Sequence, residues 1–383
     1  MISNPLSPPR YAMPKIVTTS HLDKHAWDAL VADDDFFHCH GWLSGLDYAI
    51  GGEEILALYS NSGLLGGCAL WPGETEPGLF YLHDFFPGLR GPWDDEFIWG
   101  GARRSTHNEI PCIYGHHRAE SLASIAAALA DLAARRHKTA AVIPYMPLRR
   151  ALEIKSCYPH ARVLMHSAEA AIPVTSDGLG SLLSHVNGHQ RTNIKAELAA
   201  FSRKGVQLEC HPLSECLFEV AAKLIASTRD KYGSPQGAEW VHRLLDGQKK
   251  SSVTDTAITI LAKSADKVVG ISILYRFGKK MHIRYFGADY ILNNHDFRYF
   301  VLAYYYPLDY AAKHGFTQCR LSISALKAKT LRGALLEPLA ALLLFPGTPD
   351  LRNEDCERYN RAFLHTYQSQ YAKYLNSDWE FIN

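Results

Sequence analysis

ILALYSNSGLLGGCALWP (55–72) and ITILAKSADKVVGISILYR (258–276) share one layout, two apolar runs around a polar turn, with Gly66-Gly67 and Gly270 at matching places. A further strand follows each, GLFYLHDF (78–85) and KMHIRYFGAD (280–289). Then comes a helix: ESLASIAAALADLAARRH (120–137) ends in Ala133-Ala134-Arg135 with Thr139 beyond. DFRYFVLAYYYPLDYAAKHG (296–315) ends in Ala311-Ala312-Lys313 with Thr317 beyond. Each helix leads into an apolar strand, AAVIPYM (140–146) or CRLSIS (319–324). Agreement over four consecutive elements reads as duplication. The unit is helix, antiparallel strands, helix, strand, which is α+β.

The second copy opens with GHQRTNIKAELAAFSRKGVQLE (188–209), where Ile194, Leu198 and Phe201 fall on one helical stripe with Arg191 and Lys195 along its margin. Gly205 is placed to cap that helix before Val206, Leu208 and Cys210 alternate as a strand. Helices at 214–232 and 236–248 follow, and the two halves join in the turn-rich HSAEAAIPVTSDGLGS near 166–180. The expected domains are therefore 1–170 and 171–383. The first half carries an extra loop at 86–111, rich in Gly, Pro, Trp and charge.

A chain of 383 residues exceeds what one core organises, in line with two domains. Its net charge of +1 excludes wholesale coating of nucleic acid, so any such contact must be local. The eight cysteines are scattered without C-x-x-C or zinc spacing, which reads as reduced thiols in the cytoplasm. The histidine doublets HCH (38–40) and HH (116–117) are poorly spaced for a metal, and none is expected. Asp33-Asp34-Asp35 reads as a solvated loop. MISNPLSPPRYAMPK lacks the apolar segment of a secretory signal. ALLEPLAALLLFPG, broken by Glu337 and Pro338, is too short to span a membrane. The oligomeric state is left open.

Two tandem units of this kind resemble the Fem-type aminoacyl transferases, a branch of the GNAT N-acyltransferase superfamily. RTNIKAELAAFSRKGVQLE is similar to the basic helix and strand that open the family's second domain, and KVVGISILYRFGKKMHIRYFGAD to paired GNAT core strands. KAKTLRGALLEPLAALL (327–343) resembles a segment of GNAT proteins from antibiotic pathways. The resemblance implies two GNAT-like domains, each a mixed, largely antiparallel sheet flanked by helices, with the active site in the second. It implies transfer of an aminoacyl group from aminoacyl-tRNA to the amine of a small molecule or peptide, with no other cofactor. Acyl-CoA enzymes of the superfamily carry a glycine-rich turn that cradles pyrophosphate. Here that position reads YILNNHDFRYF (290–300), without glycine, and the first half offers only AESLASI (119–125). An acyl-CoA transferase with a divergent turn and a catalytically silent binding module remain the alternatives.

On this resemblance Asp289, just past the strand end, orients or deprotonates the acceptor, or else is a turn carboxylate. Tyr285 donates to an oxyanion or is a core tyrosine. Arg191, Lys195, Arg229, Lys327, Lys329 and Arg332, joined by Arg284, are the cations that phosphates of a tRNA acceptor end require, with Arg191 and Lys195 otherwise reading as solvated charges on a helix edge. Tyr305 is placed among the tyrosines that can stack on an unpaired base. No G-x-S-x-G, H-E-x-x-H or P-loop is present.

Overall fold

The computed structural model describes residues 14–33, 35–72, 81–93, 97–234, 236–290 and 296–382. Among these the chain forms twelve strands, six in each half of the sequence. The first six are β1 (Lys15–Thr18), β2 (Glu54–Ser60), β3 (Gly63–Pro72), β4 (Phe97–Gly100), β5 (Ala140–Pro147) and β6 (Ala161–Pro173). The others are β7 (Gln207–Pro212), β8 (Ala257–Ser264), β9 (Lys267–Phe277), β10 (Lys280–Ala288), β11 (Gln318–Arg320) and β12 (Leu335–Leu344).

The chain packs into two compact units. Unit 1 takes its described residues from 1–43, 52–166 and 339–363, and unit 2 from 44–51, 167–338 and 364–383. In unit 1, β1 to β4 pair antiparallel in turn, β5 lies parallel to β4, and β12 lies antiparallel to β5. In unit 2, β7 to β10 pair antiparallel in turn, β11 lies parallel to β10, and β6 lies antiparallel to β11. The six strands of each unit follow one order, so the duplication is real, and the pairing in each unit is mixed but largely antiparallel. The echo extends to register: β2–β3 slips at Leu58/Tyr59 beside Gly66, and β8–β9 slips at Ala262/Lys263 beside Gly270. A bulge there leaves one residue unpaired and strengthens the local twist.

Two expectations need correction. The last strand of each sheet comes from the other half of the sequence, so a single boundary at 170/171 fails. Residues 339–363 belong with unit 1 because Leu339–Leu344 pairs with β5. The third strand of unit 1 is also not 78–85. Residues 78–80 lie outside the described residues, Leu82–Phe85 is a 3-10 turn, and Phe97–Gly100 takes the strand position inside the supposed loop. Four buried residues are too few to show a period.

Helix α1 (Arg118–Arg135) buries Leu122, Ile125, Ala126, Leu129 and Ala133 at helical spacing, each larger side chain stabilising by roughly 1.5–3 kcal/mol. Unit 2 carries α2 (Gly178–His185), α3 (Gly188–Ser202), α4 (Phe218–Lys231), α5 (Ala238–Lys250), α6 (Tyr306–Lys313) and α7 (Leu326–Thr330). Helix α3 begins with a capping box: Asn187 accepts from the Gln190 N–H at 2.9 Å, and Gln190 accepts from the Asn187 N–H at 3.2 Å. Gly205, at φ +63°, follows its end as the sequence suggests. Helix α4 lies so close to β10 that a Cβ on Gly287 would come 2.5 Å from the Ile225 nitrogen.

Candidate functional site

Helix α3 presents a different face from the one its apolar residues suggest. Its buried positions are Gln190, Ile194, Glu197 and Phe201, while Leu198 is only half-buried. The two polar members stitch α3 to the 326–332 segment. The Gln190 amide donates to the carbonyls of Thr330 (3.3 Å) and Leu331 (3.1 Å) and to the Tyr374 hydroxyl (3.0 Å). About two turns further along α3, Glu197 accepts from Arg332 Nε at 3.1 Å, from its Nη2, and from the Tyr305 hydroxyl.

Arg332 is held on every side. Its Nε also reaches the Tyr305 oxygen at 3.1 Å, its Nη1 donates to the Ala328 carbonyl at 2.8 Å, and the guanidinium lies 3.2 Å from the centroid of the Phe300 ring. Such a bidentate, stacked arginine is a fixed fork that lysine could not reproduce. Tyr305 reaches it from a π-helical turn, Val301–Tyr305, which leads into α6 and buries consecutive residues that a regular helix would splay. Burial, then the hydrogen bond to Glu197, push the Tyr305 phenol far above its ordinary value, so it stays a neutral donor. Beside it, the Tyr299 and Tyr304 hydroxyls meet at 3.1 Å.

Lys329 points the other way. It is 2% exposed, and its ammonium donates to the carbonyls of Leu321 and Ser322, the latter at 3.0 Å. These carbonyls belong to a loop strained at Ser322 (φ +66°) and Ala325 (φ +52°). Burial brings the Lys329 ammonium down to about 7, against a smaller opposing pull from Glu169.

The sequence-derived residues thus divide. Tyr305, Lys329 and Arg332 gather in this cluster or the turn beside it, while Lys195 on α3 and Lys327 on α7 are exposed. Arg191 is engaged: its Nε donates to the Leu183 carbonyl at 2.6 Å and its Nη2 to those of Ser184 and Val186, closing the end of α2. Four others have different partners. Asp289 pairs with Lys267 at 2.8 Å, so it is not a free base. Tyr285 is a core tyrosine, its hydroxyl accepting from Gln248 at 3.0 Å while Tyr275 donates to the same amide. Arg284 lies at a bulge between Ile283 and Tyr285, its guanidinium 5.0 Å from the centroid of the Tyr285 ring. Arg229 binds Ser234 and Gln236 and stacks 4.8 Å over Trp240.

Sequence reading missed Glu197, Gln190 and Phe300. The 190, 194, 197, 201 spacing is the signal that exposes the first two, since a polar residue on a buried helical row needs a partner. In unit 1, Asp35 is fully buried rather than solvated. It bonds His38 Nδ1 at 2.7 Å, and burial, outweighing His38, raises its carboxyl to about 6. Asp34 lies outside the described residues. No group of three or more His, Cys, Asp or Glu able to hold a metal occurs among the described residues, and all eight cysteines are free. No described helix is long and apolar enough to cross a membrane. The glycine-free turn at 290–300 falls partly on residues 291–295, also outside the described residues.

No curated protein matches this chain by sequence. Among solved structures it is similar to FemX at a TM-score of 0.57 and 11% identity, covering 90% of this chain and 99% of that one. It is also similar to the C-terminal domain of a putative lysylphosphatidylglycerol synthetase from Agrobacterium fabrum, at 0.54 and 8%, covering 92% and 98%. A conserved protein of unknown function from Bacteroides thetaiotaomicron gives 0.55 and 11%, covering 87% and 99%. At such identities the likeness is one of fold. Residues 120–329, more than half of the chain, match the FemAB-like family model, described as peptidoglycan biosynthesis/recognition. The chain belongs to the FemAB-like family.

Proposed function

We infer that this protein is an N-acyltransferase that moves an aminoacyl group from tRNA to the amine of a small-molecule or peptide acceptor. The amine attacks the ester carbonyl, a tetrahedral oxyanion forms, and the tRNA 3′-oxygen leaves with a proton as the amide closes. An ester is already activated, so alignment, proton removal and oxyanion stabilisation suffice, with no covalent enzyme intermediate. The family's description makes peptidoglycan precursors one acceptor class to try.

The observation that carries this reading is the charge balance of the α3–α7 seam. Residues 188–204 and 326–333 hold one carboxylate, Glu197, and it is turned inward onto Arg332. On the same two helices Lys195 and Lys327 are exposed, with Arg191 half-exposed. Cations without acidic neighbours, on a helix fixed by its own buried row, suit phosphate contacts that position a nucleic acid end.

The test is transfer of a labelled aminoacyl group from tRNA, run against labelled acyl-CoA, to a panel of amines. Wild type is expected to use tRNA. K195A/K327A should raise the apparent KM for tRNA and lower the salt slope by about 0.7 for each lost contact to a single strand. Transfer from acyl-CoA alone supports the alternative donor. A double variant with wild-type KM and salt response removes the seam from donor binding.

A further inference from the structure

We propose that unit 1 holds an oxyanion, a carboxylate or a phosphate, at Arg103 and Trp71. Trp71 on β3 and Trp99 on β4 are register partners, and their rings pack at 4.6 Å. Three residues beyond β4, Arg103 folds its guanidinium back over Trp71, 5.1 Å from the ring centroid. Trp71 is 2% exposed, and neither its indole N–H nor the shielded Arg103 Nε–H has an acceptor among the described residues. Indole and guanidinium are donors only, so neither can satisfy the other. Buried donors left unmade cost stability, and a half-buried cation needs a counter-charge. The next carboxylate along the chain, Glu109, is occupied by Arg150 at 3.2 Å. An oxyanion accepts from both donors and neutralises the fork.

The backbone points to the same place independently. After β4 the chain turns through Gly101 (φ +107°) and then holds Arg104, which has a side chain, at φ +57°. A non-glycine residue in that region carries strain of the kind that persists at binding sites. The turn is locked from within by Asn108, which accepts from the Ala102 N–H at 3.0 Å and donates to the Pro144 carbonyl at 2.7 Å. A Cβ on Gly101 would come 2.6 Å from Asn108. Arg103 is therefore presented on a fixed turn, and a ligand bears little of the ordering cost.

The experiment uses the full-length ¹⁵N-labelled protein, whose seven tryptophans give a countable set of indole signals. Sodium phosphate and, separately, sodium acetate are titrated in at constant ionic strength while the Trp71 indole and Arg103 Nε–H signals are followed. Saturable shifts of both are expected. R103Q should weaken the apparent affinity by about tenfold or more, as loss of a charge-assisted bidentate contact does, with R103K in between. Tighter phosphate assigns the site to a phosphoryl group and tighter acetate to a carboxylate, and either supports it. No saturable shift with either anion, or an R103Q affinity equal to wild type, overturns it. Because binding is read directly, failure of tRNA-dependent transfer leaves this result standing.

Discussion

Replacing Glu197 with alanine strands Arg332. The two side chains are 10% and 12% exposed, so water cannot replace the lost carboxylate well. Removing one partner of a buried ion pair costs roughly 3–5 kcal/mol, and the Tyr305 hydroxyl, losing its acceptor, adds about 1. The stacking on Phe300 survives and adds no cost, so we expect a loss of at least about 4 kcal/mol in unit 2. With a urea slope of about 2 kcal/mol/M, the unfolding midpoint should fall by about 2 M or more. E197M/R332M removes both charges and should recover much of that loss, because an apolar pair of similar volume often matches a buried ion pair. The assay is urea unfolding at low and high salt for wild type, each single variant and the double variant. A pair this shielded should respond weakly to salt. A midpoint drop below about 0.5 M for E197A, or a double variant no better than E197A, would show the pair to be screened and refute the reasoning.

Lys329 should impose a pH slope. Its folded value of about 7 lies below the unfolded 10.5, so the unfolded chain binds the proton more tightly between them. Wild-type stability relative to K329M should rise from pH 7 to pH 10 by roughly 1 kcal/mol per unit, measured by urea unfolding at stepped pH. Asp35 acts oppositely: its folded value of about 6 lies above 3.8, so wild-type stability relative to D35N should fall from pH 4 to 6 and then level off. G287A should cost at least about 1–3 kcal/mol in thermal unfolding, because the new methyl meets α4 backbone rather than a side chain that can move. G188A, with open space around it at the start of α3, should be neutral or mildly stabilising in the same assay.

Much of the fold was legible because each half repeats the same hydrophobic period. The paired glycines at 66 and 270 mark the same bulge in both hairpins, and the two helix endings lead into equivalent strands. What could not be read was pairing between distant segments. Phe97–Gly100 has too few residues to show alternation, and nothing local says that Leu339–Leu344 belongs beside β5. The site was half legible. Tyr305, Lys329 and Arg332 stood out by charge and aromaticity, but the notional stripe at 194, 198 and 201 hid Glu197, whose importance depends on a partner 135 residues away. Asp289 and Tyr285 were plausible by position, yet Lys267 and Gln248 claim them, which only three-dimensional neighbours reveal.

The borrowed strand also bears on how this protein is made. On the ribosome β5 emerges nearly two hundred residues before the β12 segment that pairs with it. At about 5–20 residues per second, the nascent first sheet waits on the order of ten seconds or longer with that edge open. The edge is no blunt one: β5 is AAVIPYMP, buried along almost its whole length in the finished protein. An open apolar edge is a template for pairing with another chain. Translation that stops between β11 and β12 should therefore yield aggregating products, and a chaperone that covers β5 during synthesis should raise the yield of intact protein.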